Sequence, residues 1–320
     1  MLTYILFVLG FVLLIKGADF LVDGASSIAK KLKISNLVIG LTVVSFGTSA
    51  PELVVNIISA IKGQGDLAIG NIIGSNISNI LLILGVSAII CALCVHKGTV
   101  WKEVPLSLLA ILVVFILVND GLIDRLGFSA LTRIDGLILL AFFIIFIYYT
   151  FGIAKVQGEE KDSSIKKRAT WLSIIMILVG LAGLTFGGKW IVDGAIVIAQ
   201  SFGVSEAIIG LTIVAIGTSL PELATSAIAA FKGRADIAVG NVVGSNIFNL
   251  FWILGITATI RPLEFSPVLN RDVIVCIIAT FLLFLFMFIG KRHVLEKWQG
   301  GIFIGLYIAY IVTLVLTAQA

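Results

Sequence analysis

The chain has 320 residues, 59% of them hydrophobic and 12% charged, with a mean hydropathy of +1.16. A soluble core does not use that much apolar residue, so the chain reads as an integral membrane protein with several spans. The formal charge of +4 is a matter of loops and not a nucleic-acid footprint, and three cysteines are too few for a disulfide framework.

Windows of roughly 20 apolar residues predict ten helices. They lie near 2–22, 37–61, 68–94, 101–119, 134–153, 170–192, 207–231, 235–260, 272–290 and 300–317. The first has no basic stretch before it and is long enough to span, so no cleavable signal peptide is expected. It carries Lys16, Asp19 and Asp23. Lys16 and Asp19 stand three apart and are expected to pair. Glycine and proline interrupt the second, at Gly47 and Pro51. The third ends at Cys91 and Cys94, whose spacing with nearby His96 is that of a metal or redox pair. No second pair exists, so packing is the expected role. The sixth carries Lys189 and Asp193, for which structural pairing is expected over ion ligation. Trp101, Trp171 and Trp298 fall near span ends, as interfacial anchors do.

The chain contains itself twice. Residues 40–85 align without a gap to residues 210–255, with 26 identities over 46 positions at a constant shift of 170. Residues 1–153 and 170–320 are therefore read as two five-helix halves, joined by a charged linker over 154–169. Basic residues divide fifteen to five between alternating loops, which places the linker in the cytoplasm and both termini outside. An odd number of spans per half inverts the second half. Lys30, Lys31 and Lys33 are replaced at the shifted positions by Gln200, Ser201 and Gly203, in agreement with that inversion. The expected fold is an all-α integral membrane protein of ten helices in two inverted repeats.

Each copy carries a glutamate inside an apolar run: Gly47-Thr48-Ser49-Ala50-Pro51-Glu52 and Gly217-Thr218-Ser219-Leu220-Pro221-Glu222. Proline removes an N–H and clashes with the carbonyl four residues back. The helix is expected to break there and to leave carbonyls unpaired, which membrane depth tolerates only beside a site or cavity. The third and eighth helices add Gly74-Ser75 and Gly244-Ser245, read as close-approach positions with hydroxyls, and Asn79 and Asn249 one turn later. Pseudo-two-fold symmetry would gather Glu52, Glu222, Asn79, Asn249, Thr48, Thr218, Ser75 and Ser245 at the centre. For Ser49 and Ser219, packing and ligation weigh about equally. These are hard oxygen donors, suited to Na⁺ and Ca²⁺, and two carboxylates match one Ca²⁺ or two Na⁺. With only His96 and His293 and no nucleophile–base set, an enzyme is not expected.

The paired Gly-Thr-Ser-x-Pro-Glu and Gly-Asn-x-x-Gly-Ser-Asn-x-x-Asn segments resemble the repeats of the cation/Ca²⁺ exchanger superfamily. The most similar branch is that of the prokaryotic sodium/calcium exchangers. The resemblance covers both halves and implies alternating access to central sites, gated by sliding of the first and sixth helices. It implies Glu52 and Glu222 as acidic ligands and the carbonyls of Thr48 and Thr218. It further implies Ser75, Ser245, Asn79, Asn249 and the backbone at Ser45 and Ala215, with Ser49 and Ser219 at adjacent motif positions. Potassium-dependent relatives carry Asp where this chain has Asn249, so the resemblance implies K⁺-independent Na⁺/Ca²⁺ exchange at a cell membrane. The implied partners are Na⁺, Ca²⁺ and the lipid bilayer, with no cofactor, nucleic acid or obligate protein partner. An H⁺-coupled or other divalent-cation exchanger of the same fold and a passive cation channel stay open as alternatives.

The loop asymmetry yields a topology prediction. A cysteine placed at Lys161 is labelled by an impermeant thiol reagent only from the cytoplasm, and one at Gln319 only from outside. Labelling of both from one side removes the odd-span arrangement.

Overall fold

The computed structural model describes residues 2–125, 127–156, 168–202 and 215–318. Among these, eight helices are long and apolar enough to cross a membrane. They are α1 (Leu2–Leu32), α4 (Gly65–Ile90), α5 (Lys97–Leu117), α6 (Arg133–Gly152), α7 (Thr170–Ser201), α9 (Ala235–Ile260), α10 (Pro267–Phe286) and α11 (Lys297–Thr317). A further span is a bent pair, α2 (Asn36–Thr48) and α3 (Ala50–Ile61), with 46° between the pieces. The shorter apolar helix α8 (Leu220–Phe231) follows a single turn over Ala215–Thr218. The predicted seventh span begins at 207, and residues 203–214 lie outside the described residues, as does most of the predicted linker.

Local chemistry sets the helix ends. Lys30 and Lys31 occupy the last turn of α1, where cations suit the helix dipole. Lys33 then takes a left-handed conformation with φ 58° and stops the helix. Ser35 caps α2 by accepting from the Val38 N–H at 3.3 Å. The predicted breaks fall at Ser49 (φ −84°, ψ 5°) and Ser219 (φ −86°, ψ 1°), each two residues before a proline. Among the described residues, three stretches widen to π-helix, at Gly40–Val44, Ser78–Leu84 and Phe248–Ile253. Such widenings gather at functional positions.

Helices α4 and α9 form the centre. In their most apolar windows 78% and 94% of residues are buried, against 17% for α11. Helices α1 and α7 run antiparallel in their longest contact, with Gly10 against Gly187 and Gly17 against Gly180. A methyl on Gly17 would stand 2.8 Å from the Gly180 carbonyl, and a methyl on Gly180 the same distance from the Gly17 carbonyl. Small residues at such a crossing let two backbones meet directly.

Among the described residues, the all-helical fold carries two short ladders in its connections: Leu93–Cys94 pairs antiparallel with Val294–Leu295, and Ala130–Leu131 with Leu263–Glu264. One expectation needs correcting. Lys16 is not the partner of Asp19. Asp19 bonds Lys232 at 2.6 Å, and Asp23 takes Lys232 at 2.7 Å and Arg234 at 2.8 Å. The loop after α8 brings two cations to a half-buried pair of aspartates, and Arg234 also donates to the Val22 carbonyl at 3.1 Å. Gly244 is a close-approach position, its would-be methyl standing 2.8 Å from Ser45 Oγ, while that of Gly74 meets no heavy atom of the described residues within 4 Å.

The glycine seam predicts a stability difference. Gly17→Ala lowers the unfolding midpoint in detergent, with an overpacking cost of about 1–3 kcal/mol. Gly301→Ala, where the added methyl meets nothing within 4 Å, leaves it unchanged. Equal midpoints for the two variants contradict the seam.

Candidate functional site

Glu52 opens α3 and Glu222 opens α8, each just past the break. Both are 1% exposed. Pro51 brings no N–H to the Gly47 carbonyl, so the chain is free to restart a helix at Ala50. The breaks therefore place two carboxylates at the starts of two helices, where the positive dipole ends favour them. The two acids lie close enough to repel one another. The hydroxyls of Thr218 and Ser75 face Glu52, and those of Thr48 and Ser49 face Glu222. Ser49 Oγ donates to Glu222 Oε1 at 3.2 Å. Glu52 is thus faced by hydroxyls from both halves of the sequence, and Glu222 by two from the half opposite its own.

Helices α4 and α9 carry the second layer of donors. Ser75 and Ser245 lie on their regular turns, and Asn79 and Asn249 lie in the π-helical stretches that follow. All four are buried. Glu52 Oε2, Glu222 Oε2, Asn79 Oδ1, Asn249 Oδ1 and the hydroxyls of Ser75, Ser219 and Ser245 are buried without a hydrogen-bond partner. Orphaned buried polar atoms are costly and uncommon in folded proteins. Of the seventeen such atoms among the described residues, seven belong to this predicted ion site, and all seven are oxygens. No ammonium or guanidinium group bonds Glu52 or Glu222 among the described residues. A cation of hard-oxygen preference completes such a set.

Two backbone expectations fare differently. The Ser45 carbonyl is already engaged by the Ser49 N–H at 3.0 Å and the Thr48 hydroxyl at 3.3 Å. Ala215 begins the single turn before Thr218, immediately after residues outside the description. Sequence reading assigned no role to Asn241, Asn76 or Asn246. Asn241 accepts from the Thr48 hydroxyl at 3.1 Å and donates to Ser226 Oγ at 3.0 Å. Asn76 and Asn246 bond Asn249 and Asn79. Their signal was their recurrence inside the duplicated motif.

A cavity adjoins the two broken helices. Its volume is about 450 Å³, and it is lined by Pro51, Gly217, Thr218 and Pro221 together with Lys189 and Asp193 of α7. The sixth-helix pair Lys189 and Asp193 therefore lines an approach to the broken helices. Their repeat counterparts Asp19 and Asp23 lie instead in the ion-paired cluster with Lys232 and Arg234.

Comparisons with known proteins agree with this geometry. The family described as sodium/calcium exchanger protein matches residues 2–152 and 172–316. The sodium/calcium exchanger MaX1 of Methanosarcina acetivorans is 32% identical, over 98% of each chain. The inner membrane protein YrbG of Escherichia coli K12 is 39% identical, over 83% of each chain. The solved structure of the sodium-calcium exchanger NCX_Mj soaked with 2.5 mM Na⁺ and 0.1 mM Ca²⁺ superposes with a TM-score of 0.82. It is 36% identical and covers 98% of this chain and 99% of its own.

A ligand that binds only the folded state stabilises it, by about 2.7 kcal/mol at a hundred times its Kd. Saturating Ca²⁺ therefore raises the unfolding midpoint of the wild type. Glu52→Gln and Glu222→Gln fold but lose most of that rise. A full Ca²⁺ shift in either variant places the cation elsewhere.

Proposed function

The chain belongs to the sodium/calcium exchanger family, and on that premise we propose that it is an antiporter exchanging Na⁺ for Ca²⁺ by alternating access. The observation that carries the reading is the buried set of unpartnered oxygens around Glu52 and Glu222. Their charge of −2 is balanced by one Ca²⁺ or by two Na⁺. Burying it uncompensated would cost several kcal/mol per group. The ions thus compete for overlapping donors, and the pocket alternates occupants. The ligands are Glu52, Glu222, Asn79, Asn249, Ser75 and Ser245, with Thr48, Thr218, Ser49 and Ser219 around them. The backbone at Ala215 and Ser45 belongs to the same set, although Ser45 has to give up hydrogen bonds to serve.

The proposed architecture is ten helices in two inverted five-helix repeats, in the plasma membrane with both termini outside. The reciprocal contacts of Gly10 with Gly187 and Gly17 with Gly180 are exchanged by the 170-residue shift, which supports a pseudo-two-fold axis. In this orientation the cavity at Lys189 and Asp193 opens outward. The ion pairs of Asp19 and Asp23 with Lys232 and Arg234 close the cytoplasmic side. The direct α1–α7 backbone contact couples the two helices, so that the pair slides as a unit against the rest of the bundle and exchanges the two conditions.

Exchange is K⁺-independent in this reading. Amides at 79 and 249 add no charge, so one Ca²⁺ already neutralises the site. A K⁺ bound beside it would leave an uncompensated positive charge in a dry pocket.

The test is ⁴⁵Ca²⁺ uptake into proteoliposomes at constant ionic strength. An outward Na⁺ gradient drives uptake, a pH gradient alone does not, and K⁺ on the Ca²⁺ side makes no difference. Accumulation driven by H⁺ without Na⁺ indicates the proton-coupled alternative. A requirement for K⁺ refutes the charge argument.

A further inference from the structure

An asparagine ligand binds a cation only when its oxygen faces the ion. Turned over, the same side chain presents an NH₂ group, whose partial positive charge repels the ion. The two orientations have nearly the same shape, so packing alone does not choose between them. Something in the structure must hold the Nδ2 end.

Asn79 Nδ2 donates to Asn246 Oδ1 at 2.9 Å, and Asn249 Nδ2 donates to Asn76 Oδ1 at 2.9 Å. The two bonds are exchanged by the 170-residue shift. Asn76 Nδ2 in turn donates to the Asn246 backbone carbonyl at 3.2 Å. A backbone carbonyl can only accept, so this bond orients the Asn76 amide and turns its Oδ1 toward Asn249. All four asparagines are 2% exposed or less. The opposite ends of Asn79 and Asn249, their Oδ1 atoms, are buried and unpartnered.

We propose that Asn76 and Asn246 are positioning residues that hold the amides of Asn79 and Asn249 with both Oδ1 atoms turned to the ion site. They do so across the molecule, each from the half opposite its client. Cation affinity then depends on contact between the two halves at α4 and α9 as well as on the ligands themselves. The inference rests on the ion site proposed above.

The test compares KM for Ca²⁺ and kcat in the same Na⁺-driven uptake assay. Asn246→Leu removes the acceptor that holds Asn79. It raises KM for Ca²⁺ roughly tenfold, the scale of one lost hydrogen bond, with a smaller effect on kcat. Asn246→Ala removes the acceptor without adding bulk and serves if the leucine variant is not recovered folded. The decisive variant is the double substitution Asn79→Asp with Asn246→Leu or Asn246→Ala. A carboxylate presents oxygen whichever way it turns, so the double variant recovers the Ca²⁺ KM that the single one lost. Asn246→Asp, which can still accept from Asn79, does not raise KM. A wild-type KM in both acceptor-free variants overturns the proposal. So does a double variant as impaired as its single parent, which would mark Asn246 as a packing residue. Absence of Na⁺-driven uptake in the wild type itself would instead remove the proposed function.

Discussion

Two carboxylates in a dry interior repel one another and have lost the water that would stabilise them. Glu52 and Glu222 are in that position, with hydroxyls and amides as neighbours and no cationic side chain bonded to them among the described residues. A permanent lysine or arginine partner would satisfy them and would also end their use. Hydroxyls and amides compensate only in part, so in the proposed reading the site keeps a demand for mobile cations. The rest of the architecture follows from that demand. Proline and serine break the helices so that both acids sit at helix starts. The π-helical stretches set Asn79 and Asn249 into the same region. The regular turns before them bring Ser75 and Ser245.

The demand for cations must be met without leaving an open pore. A cavity beside Lys189 and Asp193 adjoins the broken helices. On α1 the corresponding acidic positions are locked to Lys232 and Arg234. The sequence repeat makes the two sides similar in construction, and the side chains make them different in state. Between them lies a seam where glycines let α1 and α7 touch backbone to backbone. Bulky side chains at this crossing would hold the two helices apart, whereas glycines give the close contact that joins them into one unit.

Much of this was legible in the sequence. The repeat, the two breaks and the oxygen donors followed from motifs whose chemistry is local: a proline cannot donate, and a buried glutamate needs a counter-charge. What was not legible depended on contacts between distant segments. Lys16 stood at a reasonable helical spacing from Asp19, yet a loop more than two hundred residues away supplies the partner. Gly244 could be read as a small residue, but its neighbour Ser45 lies some two hundred residues away and was not legible. Asn76 and Asn246 appeared as repeated letters with no assigned task. Their role emerges only where the halves face each other and a backbone carbonyl sets which way an amide points. The two short strand pairs were missed for a similar reason. Two residues carry no alternating pattern, and their partners lie far along the chain.

The account's central claim is that Na⁺ and Ca²⁺ contend for one set of oxygens around Glu52 and Glu222. Equilibrium ⁴⁵Ca²⁺ binding to the purified protein, titrated with Na⁺ at constant ionic strength, tests it most directly. The account predicts one Ca²⁺ bound per chain without Na⁺ and complete displacement by Na⁺, with more than one Na⁺ replacing each Ca²⁺. Ca²⁺ that stays bound at saturating Na⁺ would contradict a shared site.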